Sequence, residues 1–306
     1  MQGEIAALVA ACLWAVASAF YGHLGTYIPA VQLNLIKGVV AIALFLVTIT
    51  VTGGFTGELY PKIPIMPLYL LSVSGIVGIG LGDSAFFKSI NALGARRALL
   101  VQTLTPPITA ILSLIFIKEQ LSIVAWCGIL LVILGVGWVI TERTPDDINC
   151  EQLNLNLSSG ISFGVFSAFA GASGAVLSRA ALNNIEGVNI NPLWAALIRL
   201  SAGVVFLLPF LRFQSKGQKI GLYSQLKSVK FISAILFAAF CGTYLGLWLQ
   251  QTAIKFTAAG IASTLMQTSP VFIIPIAMSM GEKISIRAIL GVVIALLGIA
   301  VLFYQD

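Results

Sequence analysis

Four ionisable side chains interrupt long apolar runs in this 306-residue sequence: Lys37, Asp83, Lys88 and Arg199. A charge at the centre of a membrane-spanning helix costs about 2.5–3.5 kcal/mol on insertion scales, so each must be paired or face water. Asp83 is the one carboxylate well inside such a run. That setting suits a proton carrier, and it suits a structural ion pair equally well. Lys37 and Arg199 suit the binding of an anionic substrate or the anchoring of their own helices. Lys88 lies near the end of its run, where a lysine can extend to the interface.

Uncharged polar groups fall at helical spacing. Gln102, Thr105, Thr109 and Ser113 make one stripe, Ser84, Lys88 and Asn91 a second, and Tyr244, Trp248, Gln251 and Lys255 a third. Ser263, Gln267 and Thr268 add a fourth group. Lipid cannot satisfy such stripes, so they are expected to face one cavity or one another, although a single Ser or Thr can also bond back to its own helix. Gln102, Thr105, Tyr244, Trp248, Gln251 and Gln267 are the expected contacts of a small organic solute. Pro106, Pro107 and Pro270 each remove a backbone donor, which bends a helix or frees a carbonyl; Pro107 and Pro270 are the expected hinges.

The elements that must position these groups follow from composition. Hydrophobic residues make up 58% of the chain and charged residues 9%, and mean hydropathy is +1.01, against about 45–50% apolar and about 25% charged in globular proteins. The expected class is an all-α integral membrane protein. Apolar runs predict ten transmembrane helices, near 4–22, 30–52, 67–90, 96–117, 122–140, 159–180, 192–211, 230–253, 258–280 and 285–304. No remaining stretch is long enough for a separate soluble domain, and the net charge of +6 is spread over loops and helix ends, so no nucleic-acid partner is expected. The expected partners are the lipid bilayer and a small-molecule substrate.

Several chemistries lack their residues. The single histidine, His23, and four scattered cysteines give no metal spacing and no histidine-centred triad, and no metal or cofactor is expected. Gly80-Leu81-Gly82-Asp83 reads as the GxGD of intramembrane aspartyl proteases, but that chemistry needs a second aspartate sharing a proton. Asp146, Asp147 and Asp306 lie in a loop or at the terminus. There is also no Walker-type Gly-rich loop for ATP.

The chain repeats itself. A shift of 163 residues lays Thr105 on Thr268, Pro107 on Pro270, Glu119 on Glu282, Ser122 on Ser285, Gly128 on Gly291 and Gly135 on Gly298, while a shift of 162 lays Lys37 on Arg199. Rare residue types matching at one offset imply two five-helix units, 1–145 and 155–306. An odd number per unit inverts the second relative to the first, as in secondary transporters with two gates around a midplane site. The matched glycine pairs suit close helix packing within the chain or a dimer seam, so a monomer or a homodimer is expected. Four Lys and Arg fall on the side of both termini and eleven on the other, which places the termini outside the cytoplasm by the positive-inside rule.

Leu93-Gly-Ala-Arg-Arg-Ala98, Thr103-Leu-Thr-Pro-Pro107, Ile117-Lys-Glu-Gln-Leu-Ser122 and the Gly128/Gly135 helix, repeated as Thr268-Ser-Pro270 and Gly281-Glu-Lys-Ile-Ser285, resemble the EamA-type repeat of the drug/metabolite transporter superfamily. The resemblance covers nearly the whole chain. It is weaker in helices 1 and 6, where only Trp14 fits the usual pattern and Gly171 takes its place. It implies a ten-helix permease for amino acids, other metabolites, sugar derivatives or drugs, often working outward and often with protons. By position it makes Pro107 and Pro270 the helix-kink prolines, Glu119 and Glu282 the acids closing helices 4 and 9, and Lys37 and Arg199 the basic positions of helices 2 and 7. Lys37 departs from the family's usual arginine, Asp83 is not a prescribed position, and termini outside the cytoplasm run against the common expectation. The resulting expectation is a secondary-active exporter of a small metabolite such as an amino acid in the plasma (cell inner) membrane, coupled to protons through Asp83 or the basic pair. It is expected not to be an enzyme; a polytopic membrane enzyme or a non-transporting receptor is the alternative.

Overall fold

The computed structural model describes residues 1–25, 27–56, 63–93, 95–140, 157–183, 189–213, 228–269, 271–272 and 286–303. The described residues are helical throughout, without strands. Helix α1 spans Gln2–Gly25 and α2 Ala30–Thr56. Then α3, Ile65–Gly75, runs through a π-helical stretch, Ile76–Asp83, into α4, Ser84–Leu93. Next come α5, Ala95–Gln102, α6, Thr105–Phe116, and α7, Ile123–Ile140. After the junction lie α8, Leu157–Leu182, and α9, Pro192–Leu207, which ends in a 3₁₀ stretch, Leu208–Phe213. Helix α10, Val229–Ala238, passes through a second π stretch, Ala239–Leu245, into α11, Gly246–Phe256. Helices α12, Ala259–Met266, and α13, Ile286–Phe303, complete the described chain.

Five stretches are long and apolar enough to cross a membrane: Val31–Thr52, Ile65–Ile90, Ser158–Leu182, Pro192–Phe210 and Val229–Phe256. Gln2–Ser18, Thr105–Phe116, Ile123–Trp138 and Ile289–Phe303 are shorter apolar helices. Large apolar side chains such as Val47, Tyr69, Ile115, Leu134, Phe169 and Leu297 face outward, as lipid-facing side chains do in a bilayer.

Two departures from regular helix matter for function. Ile76 and Ala239, which open the two π stretches, are 163 residues apart, the offset of the sequence repeat. A π turn leaves backbone carbonyls out of the ordinary ladder, and here side chains from α1 and α2 cap them. Asn34 Nδ2 donates to the Ile79 carbonyl at 3.2 Å. Trp14 Nε1 donates to Gly242 O at 2.7 Å and the Tyr21 hydroxyl to Ala238 O at 2.8 Å.

The second departure is a break rather than the expected bend: α5 stops at Gln102, Thr103 and Leu104 turn, and α6 begins with Pro106 and Pro107 in its first turn. Proline is tolerated there because its missing N–H has no intrahelical role. Pro106 nevertheless denies a donor to the carbonyl of Gln102, four residues earlier. The Gln267 side chain replaces it, Nε2 donating to Gln102 O at 2.6 Å. Gln267 lies in the turn that ends α12, so the two interruptions are strapped to each other. Pro270 lies outside the described residues.

Glycines set how closely the helices approach. A Cβ on Gly75 would come within 2.0 Å of the Arg199 carbonyl, and one on Gly246 within 2.3 Å of Trp14 Nε1. Helix α3 therefore lies backbone-to-backbone against α9, and Gly246 at the start of α11 seats the Trp14 side chain of α1. Helices α7 and α13 pack antiparallel and reciprocally: a Cβ on Gly128 would lie 3.3 Å from Gly298 O, and one on Gly298 3.0 Å from Gly128 O. A Cβ on Gly135 would meet Ala295 N at 2.4 Å and Gly291 O at 2.6 Å. The matched glycines are thus used within one chain.

Candidate functional site

Lys37 reaches from α2 to the end of the first π stretch, where its Nζ lies 2.9 Å from Asp83 Oδ2. Lys37 is buried, whereas the Asp83 side chain is 39% exposed, so the carboxylate is the accessible member of the pair. The ring of Phe87, one turn beyond Asp83, stands 5.2 Å from the ammonium and that of Tyr21 5.5 Å, both placed for cation–π attraction. The Tyr21 hydroxyl also lies 2.9 Å from Thr243 Oγ1 in the second π stretch. One ion pair is thereby tied to α1, α2, the first π stretch and, through Tyr21, the second.

Arg199 projects from α9 towards the same region but has no such partner. The residue is 3% exposed. Its Nη1 lies 3.4 Å from Gln250 Oε1, at the long limit of a hydrogen bond, and its Nε is buried without a partner. A Cβ on Gly78 would stand 3.3 Å from Nη2 and 3.7 Å from the Gly174 Cα. Gly78 therefore keeps a side chain off the guanidinium, and Gly174 lets α8 approach Gly78 closely, since a Cβ on it would lie 3.1 Å from the Gly78 Cα.

The expected solute contacts occupy two neighbourhoods. Gln102 Nε2 donates to Ser167 Oγ at 2.8 Å, Ser167 donates to Gly82 O at 2.8 Å, and Thr105 donates to Gln102 Oε1 at 3.0 Å. With Gln267 on its backbone, Gln102 thus links α5, α8, the first π stretch and the α12 turn. Tyr244 is buried, its hydroxyl 2.7 Å from Thr48 Oγ1 and its ring 4.8 Å from that of Phe45. The Trp248 ring lies tilted at 47° beside that of Tyr244, centroids 6.2 Å apart, and is half-buried. Gln251 is fully buried and accepts from the Ser178 hydroxyl. Thr109 and Ser113 bond back to the carbonyls of Thr105 and Ala110. Lys88 is exposed, its Nζ 5.1 Å from the Phe163 ring.

Glu119 holds a polar latch. The residue before it, Lys118, has φ of 53°, the left-handed turn that commonly ends a helix. The Ile117 and Glu119 amides both return to Ser113 O, at 3.1 and 3.2 Å, which folds Glu119 back over the helix end. Its Oε1 lies 2.9 Å from Arg179 Nη2 and its Oε2 accepts from Ala259 N at 2.9 Å, at the start of α12. Arg179 Nη1 in turn caps the end of α11, donating to Ile254 O at 2.7 Å and Lys255 O at 2.6 Å. Thr257 donates to Glu4 Oε1 at 2.9 Å, bringing the start of α1 into the same cluster. A pocket of about 240 Å³ beside it is lined by Ala110, Leu114, Glu119, Gln120, Leu121 and Trp126. Glu282 lies outside the described residues.

Sequence reasoning missed Arg179, Tyr21, Asn34 and Gln250. Arg179 counted only as a loop-side charge. Tyr21 carries a signal in retrospect, since it follows Trp14 by seven residues on one face of α1. The described residues hold no group of three or more His, Cys, Asp and Glu able to bind a metal ion.

Comparison with known proteins agrees with a membrane carrier. The chain is similar to the uncharacterized transporter YyaM of Bacillus subtilis (strain 168), 28% identical over 228 residues that cover 74% of this chain and 70% of that protein. One solved crystal structure, 15% identical, superposes with a TM-score of 0.74 over 99% of this chain and 97% of its own, a likeness of fold. The EamA-like transporter family matches residues 1–141 and 158–304. The chain is therefore a multi-pass integral membrane protein that belongs to the EamA-like transporter family.

Proposed function

We propose that the protein is a secondary-active transporter that moves a small organic metabolite, such as an amino acid, out of the cell across the plasma (cell inner) membrane. The carrying observation is the ion pair of the buried Lys37 with the accessible Asp83 carboxylate at a π stretch whose counterpart holds the other side of the same centre through Tyr21. Charges this far inside a membrane protein mark solute or proton paths. In this reading ten helices form two inverted units, 1–145 and 155–306. The equal offset of the two π stretches and the reciprocal contact of α7 with α13 support it. The strapped breaks at Gln102 and Gln267, with Pro107 and Pro270, serve as hinges, and Gln102, Thr105, Tyr244, Trp248, Gln251 and Gln267 line the solute path in the states that open it. The chain works as a monomer or a homodimer.

Asp83 is the coupling carboxylate, faced by Lys37, whose ammonium also lies 5.5 Å from the Tyr21 ring. The test is solute flux in liposomes under an imposed pH gradient. Asp83→Asn is expected to keep solute exchange and lose at least tenfold of gradient-driven accumulation, because the variant cannot release a proton. Full accumulation by Asp83→Asn would remove the coupling role. Turnover of a solute without flux would favour a membrane enzyme, and binding without flux a receptor.

A further inference from the structure

The two halves of the chain treat their buried cation differently. Lys37 and Arg199 occupy matching positions of α2 and α9, 162 residues apart. At the offset of 163, Asp83 corresponds to Gly246 and Phe87 to Gln250. Lys37 therefore has a carboxylate at 2.9 Å where Arg199 has a glycine, and the residue matching Phe87 gives Arg199 a neutral oxygen at 3.4 Å. Among the described residues no carboxylate forms an ion pair with Arg199, and its Nε is buried without a partner. The centre thus holds two cations and one anion. An uncompensated buried charge is strongly destabilising, so an arginine kept in that state implies a missing anionic partner.

From this imbalance we infer that Arg199 is the docking point for a single carboxylate on the transported solute, with Gly78, where a Cβ would stand 3.3 Å from Nη2, keeping a side chain off the guanidinium. A guanidinium presents two parallel N–H groups to a carboxylate, and one unmatched positive charge calls for a monoanionic group. The tilted Tyr244–Trp248 ring pair, of which Trp248 lies two residues before Gln250 on α11, suits an aromatic or other flat apolar body. Lys37, already matched by Asp83, is not the anchor. The inference rests on the transporter reading for the word solute, but the site itself does not.

The first arm needs no solute. Melting temperatures of the purified ligand-free protein are compared for wild type, Arg199→Gln, Arg199→Met and Lys37→Gln. Removing a charge that lacks a partner is expected to leave the Arg199 variants as stable as wild type or more so, whereas Lys37→Gln strands Asp83 and melts several degrees lower. A fall in both Arg199 variants as large as that of Lys37→Gln would overturn the inference, since Arg199 would then be a structural anchor. The second arm uses one scaffold in three charge states: phenylpropionate, phenylalanine and phenethylamine. Carboxylate-bearing members are expected to raise the wild-type melting temperature and to enter liposomes, with at least tenfold loss of both effects in Arg199→Gln. Stabilisation or flux by phenethylamine alone, or equal effects in wild type and Arg199→Gln, would overturn the site. Stabilisation by phenylpropionate that depends on Arg199, without flux of any member, would sink the transporter reading and leave the anion site standing. Absence of both stabilisation and flux for all three compounds would overturn the carboxylate assignment.

Discussion

Glu119 joins three helix ends because of one unfavourable residue beside it. Lys118 holds a left-handed conformation, φ 53°, that costs a non-glycine residue about 1–2 kcal/mol, and in return Glu119 folds back onto Arg179 and the start of α12. Lys118→Gly is expected to raise stability by about 1 kcal/mol, read as a higher melting temperature with flux unchanged; a lower melting temperature would contradict the strain. Glu119 itself is different. Its side chain is 13% exposed and that of Arg179 15%, so removing one partner leaves a largely buried charge, at a cost of about 3 kcal/mol. Glu119→Gln is therefore expected to melt well below wild type. Glu119→Gln and Arg179→Gln together should lose less than the sum of the two, by about 0.5–3 kcal/mol in a double-mutant cycle. Strict additivity would show that the latch carries no coupling.

At the scale of elements, packing of α7 on α13 depends on the absence of side chains at the crossing. A Cβ on Gly135 would meet Ala295 N at 2.4 Å, and backbone, unlike a side chain, cannot turn aside. Gly135→Leu is expected to cost about 1–3 kcal/mol or more through forced separation of the two helices. Gly171 is the matched control: its Cβ would meet only Thr105 Cγ2, at 3.8 Å, so Gly171→Ala should be neutral or slightly stabilising. Equal losses at both positions, measured by thermal or denaturant unfolding, would dismiss close packing as the cause. The sequence made these glycines legible because their seven-residue spacing puts them on one face, yet it left open whether that face met this chain or a second copy. Helix positions were legible too, since a bilayer demands long apolar runs and each expected segment holds a helix. The breaks were not. The Pro106–Pro107 pair signalled a disturbance, but whether the helix bends or stops depends on a donor from elsewhere. That donor is Gln267, 165 residues away, and no local pattern announces it. The π stretches were hidden for the same reason, because their carbonyl caps come from α1 and α2.

For the whole molecule, the few charges bear on both the chemistry and the orientation. Pairing inside the chain joins Lys37 to Asp83 and Arg179 to Glu119, and the distribution of Lys and Arg over loops and helix ends bears on topology. Four lie on the side of the termini and eleven on the other, and an excess of positive residues stays cytoplasmic. The loop between α6 and α7 reports on this directly: Gln120 is exposed there, next to Glu119 and the latch that joins α1, α6, α8, α11 and α12. Gln120→Cys, in a background without the native cysteines, is expected to react in intact cells with a maleimide that cannot cross the membrane, before any permeabilisation. A cysteine restored at position 150, between the two proposed units, is expected to react only after permeabilisation. The reverse pattern would put the termini and the latch in the cytoplasm, and in the proposed exporter the Glu119–Arg179 latch would then lie on the entry side instead of the exit. Orientation is therefore the measurement that turns a closed face of the structure into a named step of the transport cycle.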